Sequence, residues 1–216
     1  MPERRRFSIP RAELLAFLSA WQTNAPLDEW EDSPLHHDML LCCTHGKKDK
    51  CCAKFGYRTY KALAQTIADH QLPFDVWESS HLGGCRLAAS LIFLSPIRKY
   101  GRIDPAQALP LLESEARGER YLPGYRGNSA FTAAQQCAEV ALLEHVSTPS
   151  HQPTLTLLND EGDEQERITL WRVSNMSTPM VVHCRASTTM RIDTCSDLEQ
   201  GPTASIVWQA MTLKHA

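Results

Sequence analysis

The sequence predicts an α/β protein, with one domain built on a central mixed sheet flanked by helices and a small β-rich unit after it. Three observations carry this prediction. The short, mostly apolar runs DMLLCC (38–43) and LIFL (91–94) and the alternating FDVWES (74–79) have the length and patterning of strands. Between the first two, AKFGYRTYKALAQTIADH places Phe55, Tyr60, Leu63 and Ile67 at helical spacing. From Thr154 onward, TLTLLND, ERITLWRV, PMVVHC and ASIVWQAM alternate with no helical stretch between them.

Residues 1–37 are expected to be an N-terminal helix and a connection. RRRFS holds the paired arginines of a twin-arginine signal, but the following PRAELLAFLSAWQ is interrupted by Arg11 and Glu13. It reads instead as an amphipathic helix starting near Pro10, with Leu14, Leu15, Phe17 and Leu18 on its buried side. NAPLDEWEDSP is a polar, acidic connection.

Residues 38–147 form the predicted main domain. DMLLCC is a buried strand ending at cysteines, the helix through Ile67 follows, and FDVWES is the second strand. After the loop SHLGGC comes the third strand, clearest at Leu91 to Leu94, with YGRID as its partner across the Pro96-containing connection. Pro105 to Glu119 and Ser129 to Val146 are predicted helices. Strand, helix, strand, then a hairpin and a helix is the order of a thioredoxin-like domain. HVSTPSHQPT reads as a linker, and residues 148–216 as a small β-rich unit of two hairpins.

With 43% hydrophobic and 22% charged residues among 216, the chain can bury a core. A formal net charge of -3 argues against a general binder of nucleic acid or of anionic membranes. No run approaches the ~20 apolar residues of a membrane span. The expected compartment is the cytoplasm, where eight cysteines point to metal or redox chemistry before structural disulfides.

Half of those cysteines lie in LLCCTHGKKDKCCAKFG (40–56). Cys43 and Cys52 are nine positions apart, and so are Cys42 and Cys51, so spacing does not choose between the pairs. One pair ends a strand and the other opens a helix, and both ends of such a unit face one crevice, where the helix N-terminus suits thiolates. SHLGGC adds His81 and Cys85, with Gly83 and Gly84 allowing a tight turn. Three thiols and an imidazole suit zinc or an iron–sulfur cluster and do not suit magnesium or calcium. The chain lacks the close cysteine knuckles of structural zinc sites, and the wide loop and its Lys47, Lys48 and Lys50 suit a larger, negatively charged object. Spacing alone leaves zinc and iron–sulfur open.

CTHGKKDKCCA, VWESSHLGGCRLAASLIFL and YGR resemble the sucrase/ferredoxin-like family, a group of thioredoxin-like [2Fe–2S] ferredoxins. GYRGNSAFTAAQQCAE is similar to the family's Arg-Gly-x-Ser before a helix, and TCSDLE around Cys195 to the tail of its bacterial members. The resemblance implies a [2Fe–2S] cluster held by Cys43, next to Thr-His-Gly, by Cys52, and by His81 and Cys85 in a loop that in the family reads His-x-Gly-Gly-His. Position 85 departs from the family, being cysteine where a histidine is typical. The implied activity is single-electron transfer with a redox partner protein, with proton coupling at His81.

Cys42, Cys51, Cys137 and Cys184 are read as core residues, with Cys42 pointing opposite to Cys43 on its strand, and Cys195 is unassigned. His45 is read as a turn residue, and His36 and His37 as exposed. Trp77, Ser79 and Ser80 flank the loop, where the serines are placed to donate to sulfur. Arg86, Arg102 and Arg126 are candidates for bordering the site or forming a docking face. No nucleotide-binding motif, hydrolase elbow or glycosidase carboxylate pair is present, so sucrase activity has no support and a carrier is favoured over a substrate-converting enzyme. The competing readings are a zinc-stabilised binding module and a thiol oxidoreductase, the latter without a Cys-x-x-Cys motif.

Overall fold

The computed structural model describes residues 5–32, 37–47, 50–148, 151–195 and 197–216. Arg4, His36 and Lys48, which figured in the sequence reading, lie outside the described residues. The chain divides into two compact units, residues 1–38 and 39–216.

In the first unit, a 3-10 turn at Arg11–Glu13 leads into helix α1 (Leu14–Gln22). Phe17 packs between Phe7 and Trp30, with ring centroids 5.3 and 5.5 Å away. The Trp30 indole N–H donates to Glu13 Oε2 at 2.8 Å. The expected buried face of α1 is corrected here: Leu14, Leu15 and Leu18 are 45%, 81% and 41% exposed. The helical period was right, but so few residues have core enough for Trp30 and Phe17 and little more.

The second unit holds two sheets. The first is mixed and five-stranded, in the order β2 (Phe74–Ser79), β1 (Asp38–Cys43), β3 (Leu91–Leu94), β4 (Ile97–Tyr100), β5 (Tyr125–Asn128). Helix α2 (Tyr57–His70) connects β1 to β2, and α3 (Ala108–Ala116) and α4 (Ala133–Val146) flank β5 in sequence. This is the thioredoxin-like order that the sequence predicts. Phe74, Phe93, Tyr100 and Tyr125 form a ladder of ring contacts across the sheet, with centroids 5.5–5.7 Å apart.

One strand reading needs correction, and one strand was not foreseen. YGRID is not the partner of β3. The short link at Ser95 and Pro96 makes Leu94 face Ile97 and Leu91 face Tyr100, so β4 is finished where YGRID begins. Strand β5, opposite Arg98 and Tyr100, has no counterpart in the sequence reading, since Gly124 precedes it and Gly127 interrupts it.

The second sheet is a single antiparallel meander of β6 (Leu155–Gly162), β7 (Glu166–Val173), β8 (Met180–Arg191) and β9 (Thr203–His215), rather than two separate hairpins. A short helix, α5 (Asp197–Gln200), sits between the last two strands. Helix α4 serves both sheets. Its Leu143 belongs to the core of the first, with Leu40, Leu63 and Phe93. Its Ala138, Leu142 and Val146 pack with Trp171, Met180 and Val182 of the second. Among the described residues no helix is long and apolar enough to cross a membrane.

Buried acids tie β4 and β5 to the helices. Glu115 accepts hydrogen bonds from Arg98, at 2.9 Å, and from the Tyr100 hydroxyl. Glu139 accepts from the Asn128 N–H at 2.6 Å and from the Tyr125 hydroxyl, and lies 3.7 Å from Arg120. Burial pushes the Glu139 carboxyl up, against the pull of the Asn128 N–H and of Arg120. Glu139→Ala would strand several buried donors and is expected to cost about 1–3 kcal/mol. Glu139→Gln, which keeps an acceptor, should cost less, and urea titration of both variants checks the difference.

Candidate metal centre

Strand β1 ends on two adjacent cysteines, and the two-residue period of a strand sends them to opposite sides. Cys42 enters the main core beside Leu40 and Leu63. Cys43 joins Cys52 and Cys85 in a separate buried cluster, packed against Leu82 and Ala88. The three sulfur-bearing residues are 2%, 1% and 5% exposed, so segments far apart in sequence deliver three thiols to one dry spot.

Cys52 enters from a π-helical turn, Cys52–Gly56, that leads into α2. Such turns widen the helix by a residue and occur often at functional sites. The approach of this turn to β1 requires glycine at position 56, since a β-carbon there would lie 2.0 Å from the Cys43 carbonyl oxygen. Burial pushes the Cys52 thiol up, and the neighbouring Cys43 and Cys85 add to the effect. Cys42 is pushed up to about 12, by burial first and then by Cys43.

Cys85 is set by the glycine pair before it. Gly83 and Gly84 adopt φ of +80° and +67°, and the chain then enters a 3-10 turn, Cys85–Leu87. Cys85 Sγ lies 3.5 Å from Nδ1 of His81, whose imidazole is exposed. The loop is held to β1 by backbone hydrogen bonds from Cys43 N to Ser90 O and from Thr44 N to Ser79 O, at 3.1 and 3.2 Å. Thus Cys43, Cys52 and Cys85 are brought together, with His81 on the open side. Among the described residues, no group of three or more His, Cys, Asp or Glu side chains is arranged to hold a metal ion.

Other expectations fare differently. Cys184 is buried and Cys137 half-buried, both in the second core. Cys51 is not a core residue: its sulfur lies 3.5 Å from that of Cys195, 144 positions away. Among the described residues neither Ser79 nor Ser80 donates a side-chain hydrogen bond to sulfur, and Trp77 is 52% exposed. Diamide, which takes up the two electrons and two protons released, is expected to convert the Cys51 and Cys195 thiols into a disulfide. Peptide mapping should find that crosslink and Cys195→Ser should abolish it; a bridge made instead through Cys43 or Cys52 would contradict it.

Sequence reasoning also missed the grip of the tail on the cysteine loop. Asp193 pairs with Arg86 at 2.5 Å and with Arg191 at 2.9 Å, and its carbonyl accepts from the Arg86 N–H. Asp197 fixes that segment by accepting from the Asp193 and Thr194 N–H groups at 2.8 and 2.9 Å. Asp197 beside a turn of small polar residues was the available signal.

The sequence profile described as sucrase/ferredoxin-like matches residues 3–127, more than half of the chain. The chain belongs to the sucrase/ferredoxin-like family. This sucrase/ferredoxin-like chain is 29% identical over 104 residues to Altered inheritance of mitochondria protein 32 of Clavispora lusitaniae, a match covering 46% of the chain and 38% of that protein. The protein of the same name in Debaryomyces hansenii is 24% identical over 105 residues, with the same coverage. The chain therefore spans well under half the length of these curated relatives. Among solved structures it is similar to a thioredoxin-like [2Fe-2S] ferredoxin from Aquifex aeolicus. One structure of that protein has a TM-score of 0.40 and 11% identity, covering 44% of this chain and 94% of the other. A second has a TM-score of 0.36 and 15% identity, covering 40% and 92%.

Proposed function

We propose that the protein is a single-electron carrier that holds one [2Fe–2S] cluster through Cys43, Cys52, His81 and Cys85. The observation that carries this reading is the convergence of three buried thiols, from β1, the π-helical turn and the glycine loop, with an exposed imidazole 3.5 Å from one of them. Membership of the family supports the choice of cluster. The donor set fits: three soft sulfur ligands and one borderline nitrogen are the ligands of iron–sulfur chemistry. When bound, the cluster would supply one-electron oxidation and reduction.

The chain's own residues shape how that chemistry is used. Burial of Cys43, Cys52 and Cys85 keeps water from the sulfurs, while His81 gives the centre one edge open to a partner. Imidazole in place of a thiolate lowers the negative charge of the ligand set, so the midpoint potential should lie above that of plant-type ferredoxins, roughly between -350 and 0 mV. The partner is a redox protein, and the thiol content suits the reducing cytoplasm.

The test is the visible spectrum of protein purified without oxygen, with iron, sulfide and zinc assayed on the same sample. A red-brown protein with about two irons and two sulfides per chain is the expected result. A colourless protein with stoichiometric zinc, unchanged by anaerobic reconstitution with iron and sulfide, would overturn it in favour of a zinc-stabilised binding module. A midpoint well below the stated window would remove His81 from the ligand set.

A further inference from the structure

Beside the cysteine loop, where α4 meets the ends of β8 and β9, lies an open cavity of about 500 Å³. Its rim carries Arg86, Arg126 and Arg191, and its wall includes Trp208, Val140 and the exposed Ile206. The volume is that of a small-molecule site, which typically spans about 300–1,000 Å³.

The arginines are not scattered surface charges. Arg86, Arg102, Arg126 and Arg191 stand close enough to repel one another. Facing them are two carboxylates, Asp193, already shared by Arg86 and Arg191, and Glu144 on the cavity lining. The surplus is positive, in a chain whose net charge is -3. Among the described residues Arg126 has no carboxylate partner. Its side chain runs over Gly101 toward the loop, so that a β-carbon at Gly101 would lie 3.2 Å from Arg126 Cδ and one at Gly84 3.9 Å from Nη1. Arg126 is exposed at the cavity mouth, and its guanidinium is held below the usual arginine range by partial loss of solvent first and then by the charges of Arg86, Arg191 and Arg102. Crowded guanidiniums of this kind are relieved by an anion, and their planar forks match phosphate oxygens.

We propose that this cavity binds a phosphate monoester whose carbon chain also bears an aromatic ring, the chemistry of a mononucleotide, with the phosphate between Arg126, Arg86 and Arg191 and the ring against the Trp208 wall. A phosphate monoester carries a charge near -2 at neutral pH, which suits the local surplus. Trp208 and its apolar neighbours supply a surface for a ring and no anchor for a second charge. Arg86 directly follows Cys85, so a redox-active ligand held here would lie beside the loop of the proposed metal centre, with its phosphate end nearest. That last role rests on the electron-transfer reading; the binding site does not.

Calorimetric titration of the full chain with flavin mononucleotide, riboflavin and inorganic phosphate tests the proposal, with iron and sulfide assayed on each sample so that failure of the cluster reading is seen separately. Flavin mononucleotide is expected to bind at least about tenfold more tightly than riboflavin, which lacks the phosphate, and than inorganic phosphate, which lacks the ring. Arg126→Gln should weaken flavin mononucleotide about tenfold and leave riboflavin unchanged. Should that variant fail to fold, Arg126→Lys keeps the charge without the fork and should lose part of the same preference. Equal binding of the two flavins, or none by flavin mononucleotide, would overturn the proposal. So would salt-sensitive binding of a polyglutamate peptide in its place, which would assign the arginines to an acidic protein partner.

Discussion

For the cluster proposed above, replacing Cys52 with alanine is expected to reduce bound iron by at least about tenfold and to remove the visible absorbance, while the protein stays folded. The side chain is buried among two other thiols, and alanine introduces no polar group into that space. Cys43→Ala should do the same from the strand side. The informative controls are the neighbours in sequence. Cys42 faces the main core and Cys51 faces Cys195, so Cys42→Ala and Cys51→Ala should retain the iron, with only Cys42→Ala losing stability through a core cavity. Iron retained by Cys52→Ala but lost by Cys51→Ala would show the opposite pair to be the ligands.

Gly56→Ala should be the most damaging single change to the scaffold of the site. The backbone at Gly56 is ordinary helix, with φ of -62°, so conformational strain is not the difficulty. The added methyl would lie 2.0 Å from the Cys43 carbonyl oxygen, and that neighbour is backbone that cannot rotate away. The π-helical turn must then move off β1, for a loss of about 3 kcal/mol or more and a fall in Tm on the order of 10 °C. Because Cys43 and Cys52 sit on the two surfaces forced apart, iron incorporation should fall with stability. Gly118→Ala, where nothing lies within 4 Å and only the left-handed backbone objects, should cost on the order of 1–2 kcal/mol and spare the iron. Thermal melts with iron assays on both variants separate the two effects.

Much of this arrangement could be read in advance, for definable reasons. β1 and β3 are short, mostly apolar runs and β2 alternates apolar with polar residues, and their limits match those read from the pattern. The alternation along β1 already sends Cys42 and Cys43 to opposite sides. In the helix-opening pair no such period applies, and only the resemblance to a family motif preferred Cys52 over Cys51. What could not be read depends on partners distant in sequence. Cys195 beside Cys51, Asp193 on Arg86, and Glu139 beneath β5 are tertiary meetings with no local signature. Strand β5 went unread for a different reason, since Gly124 just before it and Gly127 within it, both at positive φ, look like a turn. The apolar side of α1 shows the converse error, in which a correct period was taken to imply burial that the small first unit does not provide.

Helix α4 has a bearing on how residues 39–216 come apart. Leu143 is fully buried in one core and Leu142 in the other, and Leu155 touches both. Neither sheet can lose its cover without the same helix being released. The β-rich tail is therefore no cassette to be clipped away or shuffled between proteins. Ending the chain near position 147 would leave Ala138 and Leu142 facing water, inviting aggregation rather than a minimal carrier. Hydrogen exchange should find β1 and β8 opening together, at one free energy, because a single helix couples their fates.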